Sequence, residues 1–259
     1  MSPEIKVIKI GGNVIDNPEA LQSFVKDFAT IPGRKILIHG GGKEATRLSG
    51  RLGIETQMID GRRVTDRATL DVVTMVYAGM INKRIVAMLQ AEGCDAIGLS
   101  GADGNVIRAC RRPAVPVDYG FVGDIHADGV NHRFISMLLY NGLTPVLCAI
   151  NHDGCGELLN CNADSVASAV AVACSRIGLT SLTFCFEKGG VLADINDDNS
   201  VIRSISSENY SALKSDGTIS GGMLPKVDNA FKAISEGVNS VTIKSSADLL
   251  ADSGTTITK

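Results

Sequence analysis

The sequence predicts an α/β fold built on a mostly parallel sheet, and three observations carry that prediction. Glu4 to Ile10 is an apolar, β-branched run that opens into Gly11 and Gly12, the pattern of a buried strand and its turn. Leu21, Phe24, Val25 and Phe28 then recur at the i, i+3, i+4, i+7 spacing of an amphipathic helix. Lys35 to Ile38 forms a second short apolar run, followed by His39-Gly40-Gly41-Gly42. Strand, helix, strand implies parallel pairing, so both glycine turns leave the C-terminal sheet edge, where open α/β sheets place their ligands.

Each element follows in order. Asp16 or Asn17 can cap the first helix, with Pro18 in its first turn. Lys9 beside two residues without side chains suits anionic oxygens, because backbone N–H groups in such a turn can point at phosphate; a solvent-facing lysine at a tight turn is the other reading. The second glycine turn is either a ligand-facing loop or simply a flexible one. It is not a P-loop, since Glu44 stands where Ser or Thr is required and no glycine lies five residues before Gly42. His39 reads either as a catalytic base or as a satisfied structural residue.

Asp60 to Thr65 is a turn with two adjacent arginines, and Thr65 is placed to cap a long helix towards Glu92 with Leu70, Val73, Val76, Met80 and Val86 on one face. An arginine held there suits a bidentate grip on a carboxylate, with surface ion pairing as the alternative. Ala96 to Leu99 reads as a strand, Phe121 to Ile125 as the centre of hairpins, Asn131 to Tyr140 as a helix and Pro145 to Ile150 as a buried strand. Asn160-Cys161-Asn162-Ala163-Asp164 opens a small-residue helix capped by Asn162 or Asp164, and three polar residues at alternating positions suggest that some reach across a crevice. A strand over Leu182 to Phe186 leads into Glu187-Lys188-Gly189-Gly190, then come a polar turn and a short helix from Ser206 to Leu213. Pro225 and Lys226 start a last amphipathic helix, and a cation there opposes the helix dipole unless an anion binds beside it. Val241 to Ile243 and Thr255 to Ile257 complete the sheet.

Composition narrows the function classes. With 259 residues and 44% hydrophobic side chains the chain can bury a large core. A net charge of −3, 4% aromatic residues and no Trp leave neither the field nor the stacking surface for nucleic acid. Seven cysteines without a CxxC pair, and no apolar signal segment, point to a reducing, cytoplasmic setting. The apolar runs break short of the 18 or so residues of a membrane span, so no membrane is expected.

Five motifs, Lys9 to Asn13, His39 to Gly42, Gly61 to Thr65, Asn160 to Asp164 and Gly221 to Lys226, together resemble the amino acid kinase superfamily and, within it, the N-acetylglutamate kinases. The resemblance spans nearly the whole chain in family order. The Arg-Val-Thr turn and the Asn-x-Asn-Ala-Asp segment point to the N-acylglutamate branch rather than to kinases of carbamate, aspartate, UMP or glutamate. The resemblance implies one three-layer αβα sandwich over residues 1–259, with an N-terminal lobe to about 177 for the acylamino acid and dimerisation, and a C-terminal lobe from about 178 for the nucleotide. A homodimer is implied as well.

Carried over by position, Lys9 and Lys226 are the lysines flanking the transferred phosphoryl group, and Asp164 is the carboxylate that orients them. Gly11, Gly12, Glu187 and Gly190 are expected at the nucleotide phosphates, and Gly41, Gly42, Arg63, Asn160 and Asn162 around the substrate, with Arg63 on its α-carboxylate. ATP with Mg²⁺ is implied, the ion held mainly by ATP phosphates and by no protein ligand set. The chemistry agrees: a glutamate side chain with a reference pKa of about 4.3 is already an ionised nucleophile, so positive charge and N–H donors are needed rather than a base. The implied reaction is phosphorylation of the γ-carboxylate of N-acetyl-L-glutamate, or its N-succinyl analogue, early in arginine biosynthesis. Alternatives are a superfamily kinase with another acceptor and a non-catalytic amino-acid sensor. Where the family has Leu-x-Asp-Val-x-Gly-Val, this chain reads Phe184-Cys185-Phe186-Glu187-Lys188-Gly189-Gly190-Val191, which leaves the adenine and ribose contacts open. Arginine-inhibited members carry an extra N-terminal helix; eight residues precede Lys9 here, so insensitivity to arginine is expected.

Overall fold

The computed structural model describes residues 4–126, 128–219 and 223–258. Ser220, Gly221 and Gly222 of the last glycine motif therefore lie outside the described residues. The chain begins with β1 (Ile5–Ile10), the short α1 (Gly12–Asp16), α2 (Pro18–Thr30), β2 (Arg34–His39) and α3 (Gly42–Arg51). A small hairpin, β3 (Met58–Ile59) and β4 (Arg62–Arg63), precedes one continuous helix in three parts: α4 (Arg67–Thr74), a π-helical segment (Met75–Ile81) and α5 (Asn82–Ala91). Then come β5 (Ala96–Leu99), the β6 (Cys110–Arg111) and β7 (Gly123–Asp124) pair, α6 (His132–Tyr140), β8 (Thr144–Cys148), and the β9 (Ile150–His152) and β10 (Leu158–Asn160) hairpin. The remainder is α7 (Ala163–Ser175), β11 (Thr180–Phe186), β12 (Ser204–Ile205), α8 (Ser207–Ser215), α9 (Leu224–Ser235), β13 (Ser240–Ser245) and β14 (Thr255–Ile257).

Eight strands form the central sheet in the order β12-β14-β13-β11-β1-β2-β8-β5. All neighbours are parallel except β13 and β14. The side chains of β1 alternate between its faces, as the strand period requires. Ile5 and Val7 join the core covered by α6, α7 and α9, whereas Ile8 and Ile10 join the core of α2, α4 and α5. Helices on both faces of the sheet make the three layers that the family resemblance implies.

Capping residues settle the open element starts. Asn17, not Asp16, caps α2, accepting from the N–H groups of Glu19 and Ala20 at 3.1 Å. Asn162 caps α7, accepting from Asp164 and Ser165, which leaves the Asp164 carboxylate free of that task. The expectation that Thr65 caps the long helix is corrected: Asp66 accepts from Thr69 N–H at 2.7 Å, and Thr65 is fully buried before the helix starts. Arg67 to Ala91 is long and apolar enough on average to cross a membrane, although polar residues interrupt every apolar run within it. Its apolar stripe, including Leu70, Val73, Val76, Ile85 and Leu89, is spent in the core instead.

A buried cation ends α2. Lys35 is 6% exposed, and its ammonium donates to the carbonyls of Phe28, Ala29 and Ile31 at 2.9, 2.7 and 2.8 Å, satisfying groups that a helix end leaves unpaired. Replacing Lys35 by Met should strand these carbonyls and lower the unfolding free energy by about 2 kcal/mol. Urea denaturation of the variant beside the wild type measures it.

Candidate active site

The C-terminal edge of β1 and β2 opens onto a cavity of about 230 Å³. Lys9 forms one wall because it shares the parity of Ile5 and Val7 and so leaves β1 on the α7 side. There its ammonium lies 2.7 Å from Asp164 Oδ1, with the two side chains 14% and 18% exposed. Asp164 is in the first turn of α7, where the dipole also favours a carboxylate. Gly12 and Gly40 to Gly42 line the same cavity, and α3 starts at Gly42 with its unpaired N–H groups at the rim. Gly40 lies against α7, a Cβ there falling 3.5 Å from that of Ala163, so the second glycine turn and the start of α7 close on each other.

Arg63 forms the other end. It is 8% exposed, and its guanidinium donates to Gly42 O at 2.8 Å, Thr46 Oγ1 at 2.9 Å and Thr56 Oγ1 at 3.2 Å. All three acceptors are neutral, and no carboxylate pairs with Arg63 among the described residues. A buried cation without a counter-ion is costly, so this end of the cavity is built for an anion. Asn160 Nδ2 donates to Thr65 Oγ1, which donates to Arg63 O, so Thr65 ties the arginine strand to β10 instead of capping a helix. Asn160 and Asn162 line the cavity as well.

The other predicted residues sit around this cavity rather than in its lining. Gly11 packs on β11, its N–H donating to Cys185 O at 2.9 Å. Lys226 lies in the first turn of α9 with its ammonium 4.8 Å from the Phe186 ring centroid, at the exit of the neighbouring strand. It stacks there and makes no ion pair with Asp164. Glu187 is exposed just beyond β11. Gly190 is pressed against Thr255 and Val201, a Cβ there falling 2.7 Å from Thr255 Oγ1, which gives that glycine a packing reason.

Residues 4–245 match the model of the amino acid kinase family. The chain belongs to the amino acid kinase family. It is 52% identical over 260 residues to an acetylglutamate kinase of Cytophaga hutchinsonii, across 99% of this chain and 98% of that one. It is 48% identical over 259 residues to an acetylglutamate kinase of Phocaeicola vulgatus, across the full length of both. Among solved structures, one from Streptococcus mutans superposes with a TM-score of 0.81 at 29% identity, covering 98% of each chain.

Within this amino acid kinase fold, two polar residues acquire roles that their positions in sequence left open or hidden. His39 lies on the opposite face of β2 from Ile38 and is fully buried. Gly40 O can only accept, so Nδ1 carries the proton at 2.9 Å, and Nε2 accepts from Asn82 Nδ2 at 3.0 Å. The imidazole is thus a neutral brace for the glycine turn and not a base. Tyr77, which sequence reasoning missed, lines the cavity beside Gly41 and Arg63. It reads as one more apolar position in a helical stripe, and the only prior signal was a glycine turn needing something to pack on.

Burial lowers the His39 pKa from 6.5 to about 4. Between those values the unfolded chain binds the proton and the folded chain does not. The stabilisation is therefore complete above about pH 6.5 and is lost as pH falls towards 4, by about 3 kcal/mol for this one group. A His39→Gln variant should lose that share of the acid dependence, read from denaturant unfolding at pH 7 and pH 4.5.

Proposed function

We propose that this chain transfers the γ-phosphoryl group of ATP to the γ-carboxylate of N-acetyl-L-glutamate, producing ADP and the acyl phosphate in amino-acid biosynthesis, early on the route to arginine. The observation that carries the reading is the pair of cationic poles in one cavity: Arg63, buried with only neutral partners, and Lys9, oriented by Asp164. A dicarboxylate fits between them, its α-carboxylate on Arg63 and its γ-carboxylate towards Lys9. The full-length relatives named acetylglutamate kinase support the same substrate. They lend nothing to the idle-sensor alternative.

The γ-carboxylate is ionised at neutral pH and needs no base. One of its oxygens forms the new bond to phosphorus as the bond to the β,γ-bridging oxygen breaks and ADP departs. What opposes this is repulsion between anions. Lys9 from β1 and Lys226 from α9 supply positive charge on either side, Asp164 holds Lys9, and N–H groups of the turns at Gly12, Gly41 and Gly42 supply fixed donors, while Gly11, its N–H bonded to Cys185 O, lets the first turn approach the phosphates without a side chain. Asn160 and Asn162 flank the acylamino acid, and Glu187 and Gly190 belong to the nucleotide side. Residues 1–177 then serve the acylamino acid and residues 178–259 the nucleotide.

Mg²⁺ fits this site as the counter-ion of ATP. The ion would be held mainly by the ATP phosphates, since the Asp164 carboxylate is engaged by Lys9, and would offset the phosphate charge. Seven free cysteines support a cytoplasmic setting. Exposed Met75 and Met80 on the central helix support a homodimer, which a monomer mass in sedimentation at micromolar concentration would rule out.

Trapping the product with hydroxylamine should give ATP-dependent hydroxamate from N-acetyl-L-glutamate, and Lys226→Met should lower kcat by about 10²-fold. Absence of hydroxamate with the wild-type chain would sink the reading.

A further inference from the structure

We infer that Tyr77 is a substrate-binding residue whose hydroxyl donates a hydrogen bond to the carboxylate that Arg63 neutralises. This rests on the cavity being an N-acylglutamate site. Nothing in the general phosphoryl-transfer chemistry requires a phenol here, so the assignment stands on local geometry.

Tyr77 belongs to the π-helical segment in the middle of the long helix. Bonding from i to i+5 widens the turn there and redirects side chains relative to a regular α-helix, a device found at functional sites. Both Tyr77 and Ile81 are thereby brought onto Gly41: a Cβ at that glycine would overlap Ile81 Cδ1 and fall 2.9 Å from Tyr77 Cδ1. The glycine lets the ring lie directly on the turn, and the ring's position is fixed by that contact. Its hydroxyl extends over the next residue. A Cβ on Gly42 would lie 3.9 Å from both Tyr77 Oη and Arg63 Nη2, so the two polar tips share one spot above the first residue of α3.

The chemistry at that spot is unbalanced. Tyr77 is 6% exposed and lines the cavity, and no protein group among the described residues accepts its O–H. Its polar neighbour Arg63 has N–H donors only and hydrogen-bonds the phenol oxygen, which leaves the O–H itself without a partner. Burial raises the phenol pKa, with Arg63 opposing, so the group keeps its proton at neutral pH and acts as a donor. A guanidinium without a counter-ion and a phenol O–H without a protein acceptor, side by side, call for an oxygen able to take two hydrogen bonds and carry charge. A carboxylate oxygen meets both demands, whereas a carboxamide meets only the first.

Tyr77→Phe removes the hydroxyl and leaves the ring on Gly41. Calorimetric titration of the full chain should show Kd for N-acetyl-L-glutamate raised about tenfold, with Kd for ADP unchanged. The preference for N-acetyl-L-glutamate over its α-carboxamide should shrink by a similar factor. An unchanged N-acetyl-L-glutamate Kd in the variant, with the wild type binding, would overturn the assignment alone. Parallel loss of ADP affinity would also overturn it, by exposing a structural role. Failure of the wild type to bind N-acetyl-L-glutamate would overturn the functional reading and this assignment together.

Discussion

The site depends on the alternation of side chains along β1. Ile5 and Val7 are committed to the core under α7 and Ile8 and Ile10 to the core on the other face, so Lys9 emerges on the α7 side and meets Asp164 there. A register slip of one residue would turn Lys9 towards the apolar helices of the opposite layer and put an isoleucine in its place. Central placement matters as much. With β11 on one side and β2 on the other, the end of β1 is flanked by the Phe186 exit, where Lys226 stacks, and by the His39 to Gly42 turn.

Charge is divided unevenly between the two ends of the cavity. Lys9 is balanced within the protein, whereas Arg63 is buried among carbonyl and hydroxyl oxygens that orient it without neutralising it. Such an arrangement is stable enough to fold, since both terminal guanidinium nitrogens have protein acceptors, yet it leaves attraction for an incoming anion. On the far side of the glycine turn the polarity is reversed in character: His39 and Asn82 form a sealed, uncharged bracket whose hydrogen bonds run to Gly40 O and Val146 O. The turn is thus held from behind by two neutral side chains, with the Lys83 ammonium bonded to the far side of Asn82 at 3.2 Å.

Much of this was legible in the chain itself. Hydrophobic period distinguished strands from helices, and the glycines after β1 and β2 marked the sheet edge where Lys9, Gly41 and Gly42 now stand. Arg63 was legible as one of two adjacent arginines in a turn, and Asn160 and Asn162 as alternating polar residues that open a small-residue helix. Thr65 and Asp66 were confused because adjacent capping residues look alike until the first turn's N–H groups select one. The long helix was legible as one element, from the apolar stripe through Leu70, Val73 and Val76, but its π-helical middle left no trace in that spacing.

What the sequence by itself determined is local: which segments are strands or helices, where the backbone must turn without side chains, and which residues carry charge near those turns. Those properties act within a few residues and leave a periodic trace. Only the tertiary structure decided that Asp164 serves Lys9, that Lys35 ends α2, and that a π-helical turn sets Tyr77 on Gly41 beside Arg63. These pairings join segments distant in the chain, and they exist because packing two helical layers on one sheet brings particular faces together, a constraint that no local pattern records.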